Sequence, residues 1–420
     1  MEFAADDKAQ IIDLAAKYVC PARIETFRSL GVTPVMGRRE GHYFWDLDGH
    51  RLFDVHINGG TYNLGHRNPE LIATLRAALD QYDIGNHHMV SGPRTRLAEM
   101  LARLTPGDLR YCVFTPSGNE AVEVALRTAR KATGRRQIVS FRGGYHGHGG
   151  LALRASDTPL ASYFLSDDPP GEFVHVPFND LDAVEQALRP GTVAAVICET
   201  IPATSGFPMP APGFLSGVKQ LCEARGTLYI ADEVQTGLGR TGRMWAIEHY
   251  GVQPDILVTA KGLSGGIYPI AAAVLSERVA GWLREEGWGY SSTGGGSELG
   301  CVVAAKVLEI TERPGVLENV RAMSAILARG LADIRNRHPL LCEVRQNGLV
   351  MGLRFAHPQG GMLMMAAAYE VGLWAFFASF ERSVLQFKPN LLIDQRACDE
   401  VLALLTDAIQ RCERKYGVSP

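Results

Sequence analysis

The chain has 420 residues, of which 46% are hydrophobic and 21% are charged, a composition typical of an ordinary globular protein. Its formal net charge is −3 and it has no block rich in lysine and arginine, which argues against a nucleic-acid partner. The length exceeds what one hydrophobic core usually serves and predicts two domains.

The acidic amino terminus, the lack of a long apolar run and the pattern of cysteines predict a cytoplasmic protein. The amino terminus, MEFAADDKAQ, is acidic, which argues against a signal peptide, and no apolar run reaches the length of a membrane span. The eight cysteines are scattered without a CxxC pair, which fits a reducing compartment rather than a zinc ribbon or a disulfide framework. We therefore predict a cytoplasmic location, no membrane contact and mostly buried cysteines.

The first predicted elements are a helix and a hairpin. An opening helical stretch leads to HYFWDLDGHRLFDV, which predicts two short strands around a turn at Asp48-Gly49. From about residue 90, helices alternate with short, continuously apolar strands. These strands are RYCVFT (110–115), RQIVSF (136–141), TVAAVICE (192–199), GTLYIADE (226–233) and DILVTA (255–260). Strands of this kind, separated by helices, indicate a parallel sheet covered on both faces.

The carboxy-terminal part predicts a second, smaller α+β unit. Two helical stretches near residue 300 are followed by the strands of LCEVRQNGLVMGLRF, a helix, the strand VLQFK and a closing helix from about Asp394. We predict an α/β fold in three parts. An amino-terminal segment, 1–75, packs with the small domain; a large domain covers 76–310 and the small domain 311–420.

The first candidate site residues follow the strand at 110–115. Ligands of open parallel sheets bind beyond the carboxyl ends of the strands, so residues that follow these ends are candidate ligand contacts. Ser117, Gly118 and Asn119 precede a helix that we expect to start near Glu120. The free N–H groups and the dipole of a helix amino terminus favour a phosphate. The alternative is an ordinary helix cap.

Two further strand ends carry an aromatic ring and a pair of acids. The loop RGGYHGHGG contains five glycines and presents Tyr145 and His146, so a ring there can lie flat on a planar ligand. The alternative is a flexible surface loop. Asp232 and Glu233 end the strand at 226–233. One buried carboxylate at this position can hold a protonated ring nitrogen, and the alternative is a capping role.

The fourth strand end carries Lys261, in PDILVTAKGLSGG. A single lysine at a strand end is more often a side chain that extends to solvent. Together, however, the four strand ends supply phosphate donors, an aromatic face, an acid and an amine. These are the groups that hold pyridoxal 5′-phosphate. The sequence therefore predicts a pyridoxal-phosphate site with Lys261 as the Schiff-base lysine.

Other motifs give little support for a different chemistry. GLGRTG (237–242) matches the dinucleotide pattern GxGxxG, but DEVQT separates it from its strand and it lies late in the sheet. A phosphate- or nucleotide-binding protein without catalysis is the rival that it favours. No HExxH occurs, and TPSGN is not the GxSxG elbow of a serine hydrolase. Adjacent residues such as His87 and His88 are expected to direct their side chains apart in a strand and about 100° apart in a helix. We therefore expect neither a metal site nor a serine hydrolase.

With these residues in place, the chain resembles the class III aminotransferases, of the fold-type I pyridoxal-phosphate enzymes, over nearly its whole length. The motifs are YFWDLDGHRLFDV, NLGHRNP, SGNEAVEVAL, YHGHG, CETIPATSG, DEVQTGLGRTG, KGLSGG, STGGGSELG and NGLVMGLRF. The resemblance implies a mostly parallel seven-stranded sheet flanked by helices and a smaller α+β domain. It also implies transfer of an amino group from an amine or amino-acid-like donor to a 2-oxo acid. An aminomutase, an epimerase and a decarboxylating transaminase are alternatives with the same motifs.

The resemblance implies a role for individual residues. Lys261 matches the Schiff-base lysine, Asp232 the acid at the pyridine nitrogen and Tyr145 the stacked ring. The other implied cofactor contacts are Ser117, Gly118 and Asn119 at the phosphate, His146 beside the ring, Glu199 in a supporting role, Val234 against the ring, Gln235 near the phenolic oxygen and Thr293. Family members more often have threonine or alanine in place of Asn119. Thr293 matches a threonine lent by the partner subunit, so the resemblance implies a homodimer with shared active sites.

The chain departs from the family on the substrate side. Many members bind a substrate carboxylate with an arginine in a stretch like RFxPPL, where this chain has VLQFKPNLLI with Gln386 in that place. Thr204 replaces the glutamate that pairs with the arginine. A neutral amide cannot form the bidentate clamp of guanidinium and carboxylate. We expect either another carboxylate-binding residue or a donor without a carboxylate there, such as a polyamine, an amino sugar, a thioester or a biosynthetic intermediate.

Two further residues are candidate substrate contacts. Lys388 follows Gln386 by two positions, so both lie on the same strand face and Lys388 can replace the missing charge. The alternative is a surface lysine. Tyr62, in NGGTYNLG, is a candidate for the wall of the pocket.

Overall fold

A computed structural model describes residues 7–166 and 171–416. Residues 1–6, part of the acidic stretch that argued against a signal peptide, lie outside the described residues. The α-helices are α1 (Lys8–Tyr18), α2 (Pro21–Ser29), α3 (Ile57–Gly60), α4 (Pro69–Leu79), α5 (Gly92–Leu104), α6 (Gly118–Thr133), α7 (Gly150–Ala155), α8 (Leu160–Tyr163), α9 (Leu181–Leu188), α10 (Phe214–Ala224), α11 (Gly281–Glu285), α12 (Glu298–Thr311), α13 (Val316–Arg337), α14 (Gly360–Glu370) and α15 (Gln395–Tyr416).

The strands belong to three sheets. They are β1 (Met36–Glu40), β2 (Tyr43–Asp46), β3 (Arg51–Asp54), β4 (Leu109–Thr115), β5 (Gln137–Phe141), β6 (Phe173–Val176), β7 (Val193–Glu199), β8 (Leu228–Asp232), β9 (Ile256–Thr259), β10 (Ala271–Ser276), β11 (Leu341–Asn347), β12 (Val350–Phe355), β13 (Leu373–Trp374), β14 (Phe376–Ala378) and β15 (Glu381–Phe387). Two short 3-10 helices, Ala246–Tyr250 and Lys261–Ser264, come after β8 and β9 respectively.

A seven-stranded sheet with the order β4-β10-β9-β8-β7-β5-β6 forms the centre of the larger unit. Strands β5 to β9 pair in parallel, and β10 runs antiparallel between β4 and β9. The five strands predicted from apolar runs are confirmed, as is the mostly parallel seven-stranded sheet. Strands β6 and β10 were not predicted.

The central strands are buried on both faces. Every residue of β7 and β8 is buried. Successive residues alternate between two hydrophobic clusters, so that Tyr229 packs in one and Ile230 in the other. Helices that pack on the faces of the sheet, such as α6 and α10, supply other side chains of these clusters. This arrangement explains why the strands read as continuous apolar runs without alternation.

The amino-terminal segment and the carboxy-terminal elements share one core. Strands β1, β2 and β3 form a sheet completed by β13, which pairs in parallel with Phe53 and Asp54. A second sheet has the order β11-β12-β15-β14. Phe44 and Phe53 belong to the same hydrophobic cluster as Met351 and Phe387. The segment boundaries at residues 75 and 310 stay predictions.

The carboxyl ends of β7, β8 and β9 meet at one edge of the central sheet, which is where the predicted site residues lie. The irregular turn α3 also reaches this edge, and its Asn58 and Gly59 have φ angles of 48° and 69°. Among the described residues, no helix is both long and apolar enough to cross a membrane.

Asp255 is the buried anion that joins two neighbouring strands below this edge. It is 4% exposed, accepts a 2.7 Å hydrogen bond from the Tyr229 N–H and pairs with Lys219 and Arg278. We expect Asp255→Ala to lower the free energy of unfolding by about 3 kcal/mol, because it leaves the buried Tyr229 N–H without its acceptor and a mostly buried lysine with only the exposed Glu223 as its anion. Urea denaturation measures this loss.

The matched control is Glu99→Ala. Glu99 pairs with Arg96, and both side chains are more than half exposed, so the pair should contribute nothing measurable. Equal losses in the two variants would contradict the structural role of Asp255.

Candidate active site

A cavity of about 790 Å³ opens at the carboxyl edge of the central sheet. Most of the site residues predicted from the sequence line it. These are Tyr62, Ser117, Gly118, Asn119, Tyr145, His146, Glu199, Asp232, Val234, Gln235 and Lys261. The fold therefore brings together residues from six separate parts of the chain.

The amino terminus of α6 forms one end of the cavity. The helix starts at Gly118, two residues before the expected start, and Ser117 Oγ accepts a hydrogen bond from the Glu120 N–H at 3.3 Å. The N–H groups of Gly118 and Asn119 find no acceptor among the described residues. Ser117 thus caps the helix, which was the alternative to a phosphate contact. The two N–H groups beside it are free to bind an anion.

Asn119 has a second contact that stabilises the glycine-rich loop. Its side-chain oxygen accepts a 2.8 Å hydrogen bond from the Gly149 N–H. A Cβ atom at Gly147 would lie 2.3 Å from the same oxygen, so the loop can approach α6 only with glycine there. Asn119 therefore connects the helix amino terminus to the loop that carries Tyr145.

Asp232 forms the floor of the cavity and is 4% exposed. One carboxylate oxygen lies 2.8 Å from His146 Nδ1, and the other accepts a 3.1 Å hydrogen bond from the Val234 N–H. His146 is in turn fixed through its backbone N–H, which donates to Ser156 Oγ at 2.8 Å. The carboxylate is held in one orientation before any ligand arrives.

Glu233 points away from the cavity and has a structural role. Its carboxylate accepts hydrogen bonds from the hydroxyls of Thr200 and Thr236, and from the N–H groups of Ala246 and Ile247. Of the two neighbouring acids in the sequence, only Asp232 can therefore serve a ligand in this cavity.

Glu199 supports the loop that carries the aromatic ring. Its carboxylate accepts hydrogen bonds from the N–H groups of Tyr145, at 2.8 Å, and Ala203, at 3.3 Å. Burial raises the pKa of Glu199 to about 7, and the nearby charge of Asp232 acts in the same direction. The supporting position is the one that the resemblance implied.

Lys261 starts a 3-10 helix directly after β9, with a left-handed φ of 43°. Burial lowers the pKa of its amine, while Asp232 and Glu199 act in the opposite direction. A Cβ at Gly59 would lie 3.0 Å from Lys261 Cε and 3.4 Å from Gln235 Oε1. Glycine at position 59, itself left-handed, leaves the room that the lysine side chain needs.

Lys388 is completely buried, so its interpretation as a surface lysine is wrong. Its Nζ lies 2.8 Å from Gln235 Oε1 and 3.0 Å from Gln386 Oε1, which confirms that residues 386 and 388 share a face. Gln386 is 6% exposed and also donates from Nε2 to the Phe377 carbonyl at 3.2 Å. Neither residue lines the cavity, because Gln235 lies between them and it.

The remaining predicted contacts occupy different positions. Tyr62 lines the cavity and packs on His66, with ring centroids 4.2 Å apart. Thr204 is half-buried, and its hydroxyl lies 3.4 Å from the Gly143 carbonyl, outside the lining. Thr293 is exposed and is not among the residues that line the cavity.

Sequence reasoning missed three residues with ionisable side chains at or near the cavity. Tyr268 and His148 line it, and both stand close in sequence to residues already identified, which was an available signal. His56 is half-buried; burial and the cations Lys388 and Lys261 hold its pKa well below the usual range. Its position just before the NGG turn carried no chemical signal.

The motif GLGRTG does not form a nucleotide site. It lies in a loop and opens no helix. Arg240, which is 1% exposed, donates from its guanidinium to the carbonyls of Leu349 and Pro389. The loop therefore contacts the carboxy-terminal elements. Among the described residues no group of three or more His, Cys, Asp or Glu side chains is placed to hold a metal ion.

A lysine and an acid from neighbouring strands, a ring-bearing loop and a free helix amino terminus around one cavity define a pyridoxal-phosphate-dependent enzyme. The profile of the family described as aminotransferase class-III matches residues 29–409, and the chain belongs to this family. Pyridoxal-phosphate-dependent transamination is accordingly its reaction.

Relatives cover nearly the whole chain. An uncharacterized aminotransferase of Archaeoglobus fulgidus is 47% identical over 403 residues, covering 96% of this chain and 94% of the relative. A putrescine aminotransferase of Pectobacterium atrosepticum is 34% identical, covering 87% and 80%. An acetylornithine aminotransferase of Rhodobacter capsulatus is 36% identical, covering 90% and 95%. These similarities confirm the enzyme class. The names of the relatives differ in the substrate that they give.

A solved structure shares the fold and was determined with the cofactor. It is the taurine:2-oxoglutarate aminotransferase of Bifidobacterium kashiwanohense, in complex with pyridoxal phosphate and glutamate. It is 27% identical, with a TM-score of 0.87, and the match covers 97% of this chain and 99% of that one. The predicted fold-type I architecture is confirmed.

The residues of this chain fit the cofactor. The free N–H groups of Gly118 and Asn119 suit a phosphate, Asp232 suits a protonated ring nitrogen, and the amine of Lys261 suits an aldehyde. Pyridoxal phosphate, when bound, supplies an aldehyde that condenses with amines and a ring that takes up electrons from the substrate carbon.

The lowered pKa of Lys261 gives a test of its reactivity. A free lysine has a pKa of about 10.4, so a lower value leaves more of the amine neutral and nucleophilic near pH 8. We expect cofactor-free protein, mixed with pyridoxal phosphate and borohydride, to be labelled at Lys261 with half-maximal labelling at a pH below that of a free lysine peptide. Peptide mass spectrometry across a pH series measures this.

Lys261→Ala is the control and should lose both this label and the borohydride-sensitive visible absorbance. If this variant keeps the absorbance and the turnover, another group forms the Schiff base. The same conclusion follows if the labelling midpoint of the parent protein lies at or above that of the free peptide.

Proposed function

We propose that the chain is a homodimeric, cytoplasmic aminotransferase whose amino donor carries no carboxylate at the Gln386 position and whose acceptor is a 2-oxo acid. The observation that carries the proposal is the charge of the cavity wall. Among the described residues that line the cavity there is no arginine and no lysine other than Lys261. A clamp for a donor carboxylate is therefore missing from this wall.

The side chains around Gln386 support the absence of a clamp. Both hydrogen-bonding ends of its amide are occupied, by Lys388 Nζ and by the Phe377 carbonyl. Thr204, at the place of the usual glutamate, is uncharged. The name of the Pectobacterium relative, putrescine aminotransferase, agrees with an amine donor, whereas that of the Rhodobacter relative points to a donor with a carboxylate.

The roles of the reacting residues follow from their positions. With the cofactor bound, Asp232 would accept a hydrogen bond from a protonated ring nitrogen, and Tyr145 would cover one face of the ring. The neutral amine of Lys261 takes the proton from the substrate carbon that bears the nitrogen, acting as a general base. His148, an exposed imidazole on the cavity wall, has a ring N–H available for the carboxylate of the acceptor.

An exposed apolar surface supports the homodimer. Met89, Val90 and Trp288 are 67%, 98% and 66% exposed. The His88 and Trp288 rings lie 5.4 Å apart, so the loops that carry these residues form one patch. Thr293, also exposed, follows the second loop. A second copy that covers this patch would hide the apolar side chains and bring Thr293 to the partner's cavity.

The cytoplasmic location rests on the cysteines. All eight are free thiols. Burial raises the pKa of several of them, including Cys112 and Cys301, each to about 12. Thiols of this kind are inert structural side chains, and a chain without disulfides is typical of a reducing compartment.

The donor preference is tested with two amines of similar length. With 2-oxoglutarate or pyruvate as acceptor, we expect kcat/KM for 1,4-diaminobutane to exceed that for 4-aminobutanoate by about tenfold or more, because the cavity wall has no arginine, and no lysine other than Lys261, to clamp the donor's carboxylate. Coupled assays of the amino-acid product measure the rates. Preference for 4-aminobutanoate would show that the chain has a carboxylate-binding residue after all.

Reactions without acceptor are the control in the same assay. An aminotransferase converts only one equivalent of donor when the acceptor is left out. Continued turnover without acceptor would identify an aminomutase or epimerase, and release of carbon dioxide a decarboxylating transaminase.

The homodimer is tested by Val90→Asp. An unpaired carboxylate in a buried apolar contact is unfavourable, so we expect dimerisation to weaken at least about tenfold and cofactor binding to fall with it. Analytical ultracentrifugation measures the change. Leu392→Asp, at a residue that is 39% exposed on the smaller unit, is the control and should stay dimeric. If both variants sediment like the parent, the patch is not the interface.

A further inference from the structure

Lys388 is a fully buried amine without a carboxylate partner. It is 0% exposed, and no described Asp or Glu lies within ion-pair distance of its Nζ. Its neighbours are the oxygens of Gln235 and Gln386 and the ring of Phe207, whose centroid is 5.2 Å from Nζ. Burying a lysine in this way is unfavourable unless the amine does something that an apolar side chain could not.

The contact with Gln235 determines which way that amide points. A lysine amine donates hydrogen bonds, so it selects the oxygen end of the amide at 2.8 Å. The Nε2 end of Gln235 has no acceptor among the described residues, and Gln235 lines the cavity. The free end presented to a ligand is therefore a donor. A neutral amine still has two N–H bonds, enough for both glutamine oxygens, so this orientation holds in either protonation state.

Gln386 anchors the lysine from the other side. Its Oε1 accepts from Lys388 at 3.0 Å, and its Nε2 donates to the Phe377 carbonyl at 3.2 Å. Gln386 therefore cannot turn its amide without losing one of these bonds. The result is a chain of fixed groups that runs from β14 through Gln386 and Lys388 to Gln235 at the cavity.

We infer that Lys388 is a positioning residue that holds Gln235 with Nε2 directed into the cavity, as a hydrogen-bond donor to the phenolic oxygen of the cofactor ring. The inference rests on the proposed function and on the place near that oxygen that the family resemblance implies for Gln235. It assigns Lys388 a role other than clamping a substrate carboxylate, for which its amine is too deeply buried.

A donor directed at the phenolic oxygen has an electrostatic consequence. It favours the deprotonated oxygen and so disfavours a proton shared between that oxygen and the Lys261 nitrogen. The other charged or titratable groups that act on Lys388 are Lys261, Arg240, Glu199 and Asp54, with His56 beside them. None of these groups can orient the Gln235 amide in place of Lys388.

The first variants are Lys388→Met and Gln235→Glu. In Lys388→Met the amide is free to turn, and in Gln235→Glu an oxygen replaces the cavity-facing nitrogen while Lys388 keeps its acceptor. Both should raise the pH at which the visible absorbance of the loaded enzyme changes by about one unit, and raise the Kd for pyridoxal phosphate about tenfold. Spectrophotometric titration and equilibrium dialysis measure these values. Gln235→Glu keeps the test available if Lys388→Met does not fold.

A double-mutant comparison separates positioning from other roles. In a Gln235→Leu background, Lys388→Met should leave the absorbance titration unchanged, because the amide through which it acts is absent. An equal shift in both backgrounds would overturn the inference. So would a Lys388→Met variant with an unchanged titration and a higher KM for the 2-oxo acid, which would identify a carboxylate-binding lysine. Absence of any Lys261-dependent absorbance in the parent enzyme would instead refute the proposed function.

Discussion

Parallel pairing in the central sheet is the constraint on which the active site depends. β7, β8 and β9 run in the same direction, and Glu199 pairs directly with Asp232 across two of them. Because helices cover both faces of these strands, a ligand reaches the sheet only at its edge. The acids and Lys261 are therefore gathered at one place although they are far apart in sequence.

Burial at that edge then determines what each ionisable group can do. It lowers the pKa of Lys261, which makes the amine a nucleophile, and raises the pKa of Glu199 to about 7. Lys388 is buried more deeply, and its pKa lies well below the usual range. The same physical cause, poor solvation of charge, thus lowers the pKa of both amines, one that faces the cavity and one that lies behind Gln235.

The strands that sequence missed have a common weakness. β6 is four residues long and includes a histidine, and β10 starts with three alanines, which have low β propensity. Both are nevertheless held by pairing, β6 with β5, and β10 with β4 on one side and β9 on the other. The sequence left the burial of Lys388 open for a related reason. A lysine at a strand end is ordinarily exposed, and its burial here depends on Gln235 and Phe207, which are distant in the chain.

The sequence by itself determined the family, the parallel sheet and the set of groups at the strand ends, because apolar runs and the residues that follow them are local signals. Tertiary structure alone decided which groups bind Glu233 away from the cavity, that Lys388 is buried, and that Gln235 presents a nitrogen rather than an oxygen. Each of these depends on hydrogen bonds between residues far apart in the chain. Such contacts leave no periodic pattern in the sequence, and only the packing of distant segments defines them.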